Sequence, residues 1–226
     1  MTTIDFSEEQ TMLMETAVDF CRKHSPLDRV RAQIEQQASV DPGVWQEMVD
    51  LGWLGITIPE NYGGLGLSLA DVVPIVESMG RHLMGSAFVP TTVATQALIT
   101  SGSEAQKEQW LPAIAAGASA SVALTEEDGN WNLTELGSHA EIQGNEVRLT
   151  AKKNFVLDAN QASVIIVSAN IDGQPGLVLV TADQLPEGAL VRETVIDETR
   201  RSYTLALDGL ALPADQVLKG ADFAGI

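Results

Sequence analysis

The chain has 226 residues, 45% of them hydrophobic and 19% charged, enough to bury a core in one large or two modest domains. A formal net charge of −18 leaves no basic face for phosphate neutralisation, which excludes nucleic acid as a partner and argues against an anionic membrane surface. A single cysteine, Cys21, excludes an intrachain disulfide, and His24, His82 and His139 are too scattered to hold a metal.

No run approaches membrane-spanning length, and the start, Met1-Thr2-Thr3-Ile4-Asp5-Phe6, is neither an apolar signal core nor an arginine-rich transit helix. A reducing cytoplasm is the expected location. Ser7-Glu8-Glu9-Gln10 has the spacing of a capping box and predicts a helix whose Leu13, Ala17, Phe20 and Cys21 form one apolar stripe. Cys21 thus reads as a core residue. Ser25-Pro26 ends that helix. Asp41-Pro42 opens a short helix through Met48 to Leu51, and Gly52 stops it.

Ile58-Pro59-Glu60-Asn61-Tyr62-Gly63-Gly64-Leu65-Gly66 is dense in turn formers. As a phosphate cradle it lacks the third glycine, since Leu69 stands there, so a tight loop between helices is the expectation. Ser68 or Asp71 then caps a helix with Val72, Ile75, Met79 and Leu83 on one face. Further helices are predicted over Val93 to Ile99 and from Ser103 through Trp110, Leu111 and Ile114.

From Ser119 the period changes. Val122-Ala123-Leu124 is a short apolar run, and Ala140-Glu141-Ile142 and Val147-Arg148-Leu149 flank Gly144-Asn145 as a hairpin. Val164 to Val167 reads as a buried strand. Gly176 to Val180, Ala189 to Val191 and Tyr203 to Leu207 bring the total to about seven strands, the mark of a barrel or sandwich. The tail from Leu210 to Ile226 reads as a linker. The predicted fold is α+β in two domains, an all-α bundle over 1–118 and an all-β barrel or sandwich over 119–226.

Ala123-Leu124-Thr125-Glu126 follows directly on the helical half, and Lys153-Asn154-Phe155-Val156-Leu157-Asp158 comes about thirty residues later. Taken alone, a Thr-Glu pair at a strand end faces solvent, and Phe155 reads as an ordinary barrel-core aromatic. In this order and separation the two stretches resemble the flavin motifs of the acyl-CoA dehydrogenase family, and the resemblance covers the first two of that family's three domains. The chain stops at Ile226, before the third. Ile58 to Gly64 and Glu77-Ser78-Met79-Gly80-Arg81 are also family-like, as scaffold. Arg81 reads as a helix-end arginine or an anion contact, and Arg200-Arg201 as local ion pairs with Asp197 and Glu198.

The resemblance implies FAD as cofactor, with Val122, Leu124, Thr125, Phe155, Val156 and Leu157 along one wall of its site. Leu157 departs from the family, which offers a hydroxyl there. Trp131 stands where the family has a small serine that touches the CoA portion of the substrate, a departure similar to a bacterial branch that acts on sterol side chains as pairs of unlike subunits. The implied reaction is α,β-desaturation of an acyl-CoA, with an electron-transferring flavoprotein as reoxidant and a homo- or hetero-oligomer as the working form. The family's glutamate base lies in its third domain, so no catalytic residue is assigned within these residues. The alternative is a non-catalytic partner subunit that binds neither flavin nor substrate.

Overall fold

A computed structural model describes residues 6–37 and 41–218. Six helices come first: α1 (Glu8–His24), α2 (Leu27–Glu35), α3 (Pro42–Asp50), α4 (Leu69–Arg81), α5 (Phe88–Ser101) and α6 (Glu104–Ala115). Nine strands follow: β1 (Ala120–Ala123), β2 (Thr125–Glu126), β3 (His139–Gln143), β4 (Glu146–Leu157), β5 (Val164–Ile171), β6 (Gln174–Thr181), β7 (Leu190–Glu193), β8 (Ser202–Pro213) and β9 (Val217–Leu218). Among the described residues no helix is long and apolar enough to cross a membrane.

The helix starts follow from their caps. Ser7 and Gln10 bond reciprocally, Ser7 N–H to Gln10 Oε1 at 3.1 Å and Gln10 N–H to Ser7 Oγ at 3.2 Å. Asp41 accepts the Gly43 N–H at 2.8 Å, and Asp71 accepts the Ser68 N–H at 2.9 Å. The α1 stripe buries Ala17, Phe20 and Cys21 against Met48, Trp53, Ile75, Met79 and Phe88. The glycine loop is a packing device. A Cβ on Gly64 would sit 2.0 Å from the Ile58 carbonyl oxygen, so the loop closes on itself and needs glycine for that approach.

Three expectations need correction, and one helix, α2, goes beyond them. Leu83 lies outside α4, with φ +53° and half its surface exposed, because the helix ends at Arg81. Helix α5 is twice the expected length, since its buried residues spread around the helix and leave no stripe to mark its ends. Helix α2, with Val30 as its single fully buried residue, carries too little apolar signal to be read. The linker expected from Leu210 is structured through Leu218: residues 210–213 complete β8, whose pairing with β4 runs to Glu146↔Pro213, and β9 pairs with β6. The chain start and residues 219–226 lie outside the described residues.

The strands form one sheet ordered β7-β8-β4-β3-β5-β6-β9, with β1 on β5 and β2 on β4. The expected two-residue hairpin joins β3 to β4, with Gln143 opposite Glu146. Strand β5 explains the β-branched run. Ile165 and Val167 face the sheet's own core with Val147, Leu149, Val178, Leu205 and Leu207. Val164 and Ile166 face the helices, meeting Ala94, Leu98, Leu111 and Ile114. With both faces covered, every residue of the run from Val164 to Val167 is apolar.

Candidate functional site

Strands β1 and β3 share one edge of β5, while β2 and β3 share one edge of β4. The chain therefore crosses from β5 to β4 at Leu124, between the end of β1 and the start of β2. Thr125 lies opposite Asn154 and Glu126 opposite Lys153. Ser121 Oγ donates to the Leu157 carbonyl at 2.6 Å. The two sequence motifs thus run side by side, antiparallel, as one surface.

A buried polar network fixes the crossing. Lys153 has no exposed surface, and its Nζ reaches Glu126 Oε1 at 2.6 Å, Ser168 Oγ at 2.9 Å and the Leu124 carbonyl at 3.5 Å. Ser138 completes the carboxylate's shell, donating from Oγ to Oε2 at 2.8 Å and from N–H to Oε1 at 3.3 Å. Burial pushes the Lys153 ammonium below the usual lysine range, and Glu126 pulls it back up. A satisfied network of this kind holds both backbones in register.

Directly after Lys153 the β4–β8 ladder slips. Lys153 opposes Leu205 and Val156 opposes Tyr203, so β4 carries one extra residue, a β-bulge. Strict alternation after Val147, Leu149, Ala151 and Lys153 points Phe155 into the core. The bulge turns it out instead. Phe155 has φ +57° and is 53% exposed, while Val156 takes the inward place with no exposed surface. The freed Phe155 N–H donates to Glu193 Oε2 at 3.1 Å. Asp158, with φ +52°, turns its carboxylate inward to within 3.9 Å of Arg201 Nη1, where neither oxygen accepts a hydrogen bond. Burial pushes the Asp158 carboxyl up, against the pull of Arg201, Arg200 and Arg192.

The expected site residues divide. Leu124, Thr125 and Leu157 are half-buried along the crossing and Phe155 stands out from it. Val122 and Leu124 pack in part against the helix-facing core, and the Val156 side chain belongs wholly to the sheet core, leaving only its backbone to the surface. Trp131 is 83% exposed on the loop between β2 and β3. That loop overhangs an open groove of about 780 Å³ lined by Glu126, Glu127, Asp128, Glu135, Asp208 and Lys152 among others, a poor seat for an anion. Arg81 pairs with Glu77 at 2.6 Å, and Arg201 finds its carboxylate in distant Asp158 rather than in Glu198.

A family model for the acyl-CoA dehydrogenase N-terminal domain matches residues 7–118. The structure of the Tcur3481-Tcur3483 steroid ACAD overlays 95% of this chain and 58% of its own at 32% identity, with a TM-score of 0.82. The chain belongs to the acyl-CoA dehydrogenase family. The acyl-CoA dehydrogenase FadE12 of Mycobacterium tuberculosis is 29% identical over 192 residues, 81% of this chain and 49% of that protein. An acyl-CoA dehydrogenase of Bacillus anthracis solved with FAD is 26% identical, with a TM-score of 0.80 over 97% of this chain and 40% of its own. The chain thus spans about half the length of the curated relatives it matches.

Of the residues that build this site, the sequence motif includes Lys153 without marking its role, and it marks neither Ser168 nor Glu193. Lys153 was legible in principle, since it holds the inward phase of an alternating strand, the position of a buried lysine in need of a carboxylate. Glu193 carried no signal. Its partner is a backbone N–H that only the bulge sets free.

Proposed function

We propose that this chain supplies one wall of an FAD site for α,β-desaturation of an acyl-CoA, from a helical domain 1–118 and a β domain 119–226. The observation that carries the reading is the outward-turned Phe155. Holding an aromatic half out of the core at positive φ forgoes about 1–2 kcal/mol of burial and backbone stability, a cost that a planar ligand stacked on the ring would offset. Thr125 and the crossing backbone beside it supply a hydroxyl and amides for the polar edge of such a ligand. Family membership, and an FAD complex among the similar structures, support flavin as that ligand. FAD when bound supplies the hydride acceptor; this chain's residues orient it and exclude water from one side.

No base is assigned to this chain. Both oxygens of Glu126 are committed to Lys153 and Ser138, and Glu127 pairs with Lys152. We infer that the base and the second wall come from outside residues 1–226, that the working form is an oligomer, and that an electron-transferring flavoprotein reoxidises it. The 32% identity to a steroid ACAD supports a sterol-derived acyl-CoA as substrate, with exposed Trp131 at the CoA end.

The test is FAD titration of the protein in its native assembly, followed by flavin absorbance. Thr125→Val is expected to weaken binding by about 0.5–1.5 kcal/mol, and Phe155→Ala by more. Unchanged affinity in both variants overturns the site. An assembly that takes up no FAD at all points instead to the non-catalytic partner role.

A further inference from the structure

We propose that Glu193 is a positioning residue for the flavin-facing aromatic, an inference that rests on the FAD reading of Phe155. Glu193 ends β7, the edge strand, which is separated from β4 by β8. Its carboxylate reaches across the intervening strand. Oε2 accepts the Ser202 hydroxyl at 2.6 Å and the Phe155 N–H at 3.1 Å, and Oε1 accepts the Thr204 hydroxyl at 3.0 Å. Ser202 and Thr204 lie on β8, so three donors from two strands converge on one carboxylate.

The geometry explains how a bulge with positive φ keeps one conformation. The slip between Lys153 and Val156 takes Phe155 out of the β4–β8 ladder. Without an acceptor its N–H would have to be met by water, and the peptide would be free to turn and swing the ring. A charged acceptor, itself held by two hydroxyls, makes the stronger, charge-assisted bond and sets the ring's direction before any ligand arrives. Glu193 acts through the Phe155 backbone N–H.

The experiment compares wild type, Glu193→Ala, Glu193→Gln and Phe155→Ala in the native assembly by two readouts. One is amide hydrogen exchange over 154–157 in the flavin-free protein; the other is FAD affinity with the visible circular dichroism of the bound flavin. Glu193→Ala is expected to speed exchange at Phe155 about tenfold, to weaken FAD about three- to tenfold and to alter the flavin dichroism, as the loss of one charge-assisted bond requires. Glu193→Gln keeps an acceptor oxygen and should recover most of the affinity. Should Glu193→Ala not fold, Thr204→Val frees one side of the carboxylate and carries the same test at smaller amplitude.

Unchanged exchange at Phe155 overturns the clamp. Faster exchange with wild-type FAD affinity and dichroism, where Phe155→Ala does weaken FAD, overturns the positioning role while leaving the flavin site standing. Phe155→Ala with undiminished FAD affinity removes the flavin reading, and this inference with it, whatever the exchange result.

Discussion

Along β4, residues 146–153 and residues 154–158 carry a similar mixture of apolar and polar side chains, yet only the first stretch keeps the alternation of a strand. Up to Lys153 each inward position is buried and each outward one open, even though the last inward residue is a lysine. Beyond it an extra residue reverses the phase, Phe155 turns out, and two of the five residues adopt positive φ. The difference shows which effect governs each end. In the first, the hydrophobic pattern wins so firmly that a cation is buried and given its own carboxylate. In the second, local strain is tolerated because side chains from elsewhere, Glu193 and Arg201, hold the backbone where it would not otherwise stay.

The comparison breaks most severely at Lys153. Lys153→Met leaves Glu126 buried without its cation, and a loss of about 3–5 kcal/mol in chemical denaturation is expected. Pairing it with Glu126→Gln should return part of that loss; a single-variant cost under about 1 kcal/mol would show that the pair does not hold the regular end.

The bulged end is braced from the helical half, where a Cβ on Gly85 would come within 2.0 Å of the Thr199 carbonyl oxygen and 2.9 Å of Arg201 Nη1. Gly85→Ala should therefore cost about 1–3 kcal/mol by thermal melting. A neutral result would separate that loop from the support of Arg201.

Phe155→Gly is a sharper probe, because stability and binding should move in opposite directions. Glycine accepts φ +57°, so the flavin-free protein should gain up to about 1 kcal/mol, while FAD affinity falls by about 1.5–3 kcal/mol, as for Phe155→Ala. Paired denaturation and titration read both.

The smallest effect concerns pH. The Asp158 carboxyl is raised by burial above its unperturbed value of 3.8, so its contribution to stability is full below that value and is lost as pH climbs through the folded pKa. Asp158→Asn should flatten the decline. Denaturation at pH 4.5 and 7.5 checks the sign: the variant should lose less stability than wild type between the two.

These residues also mark how far the sequence could be read. The capping box at Ser7, the cap at Ser68 or Asp71, the Gly144-Asn145 hairpin and the apolar run of β5 were legible because each is specified within a few residues. The two motifs were placed by resemblance, and the antiparallel pairing of Thr125 with Asn154 brings them together. The outward turn of Phe155 was not legible. Alternation argued for the core, and the bulge is stabilised by a carboxylate 38 residues later in the chain. The Asp158–Arg201 pair escaped for the same reason, with nearer acids offering Arg201 more obvious partners.

The split edge along which β1 and β2 lie has a consequence for the order in which the molecule assembles. Hairpins β3–β4 and β5–β6 form from neighbouring residues. The segment 120–126 has no such strand partner at hand; it pairs with β5 from Ala120↔Val164 and with β4 up to Glu126↔Lys153, both well further along the chain. Helix α5 gives it one early support, through Thr91 Oγ1 on the Ala120 backbone, but its strand pairing waits for β4 and β5, so it is a late-closing piece of the sheet. The stretch from Val122 to Thr125 thus closes only after β4 and β5 have emerged, and a ligand seated on it would act as a latch on that closure.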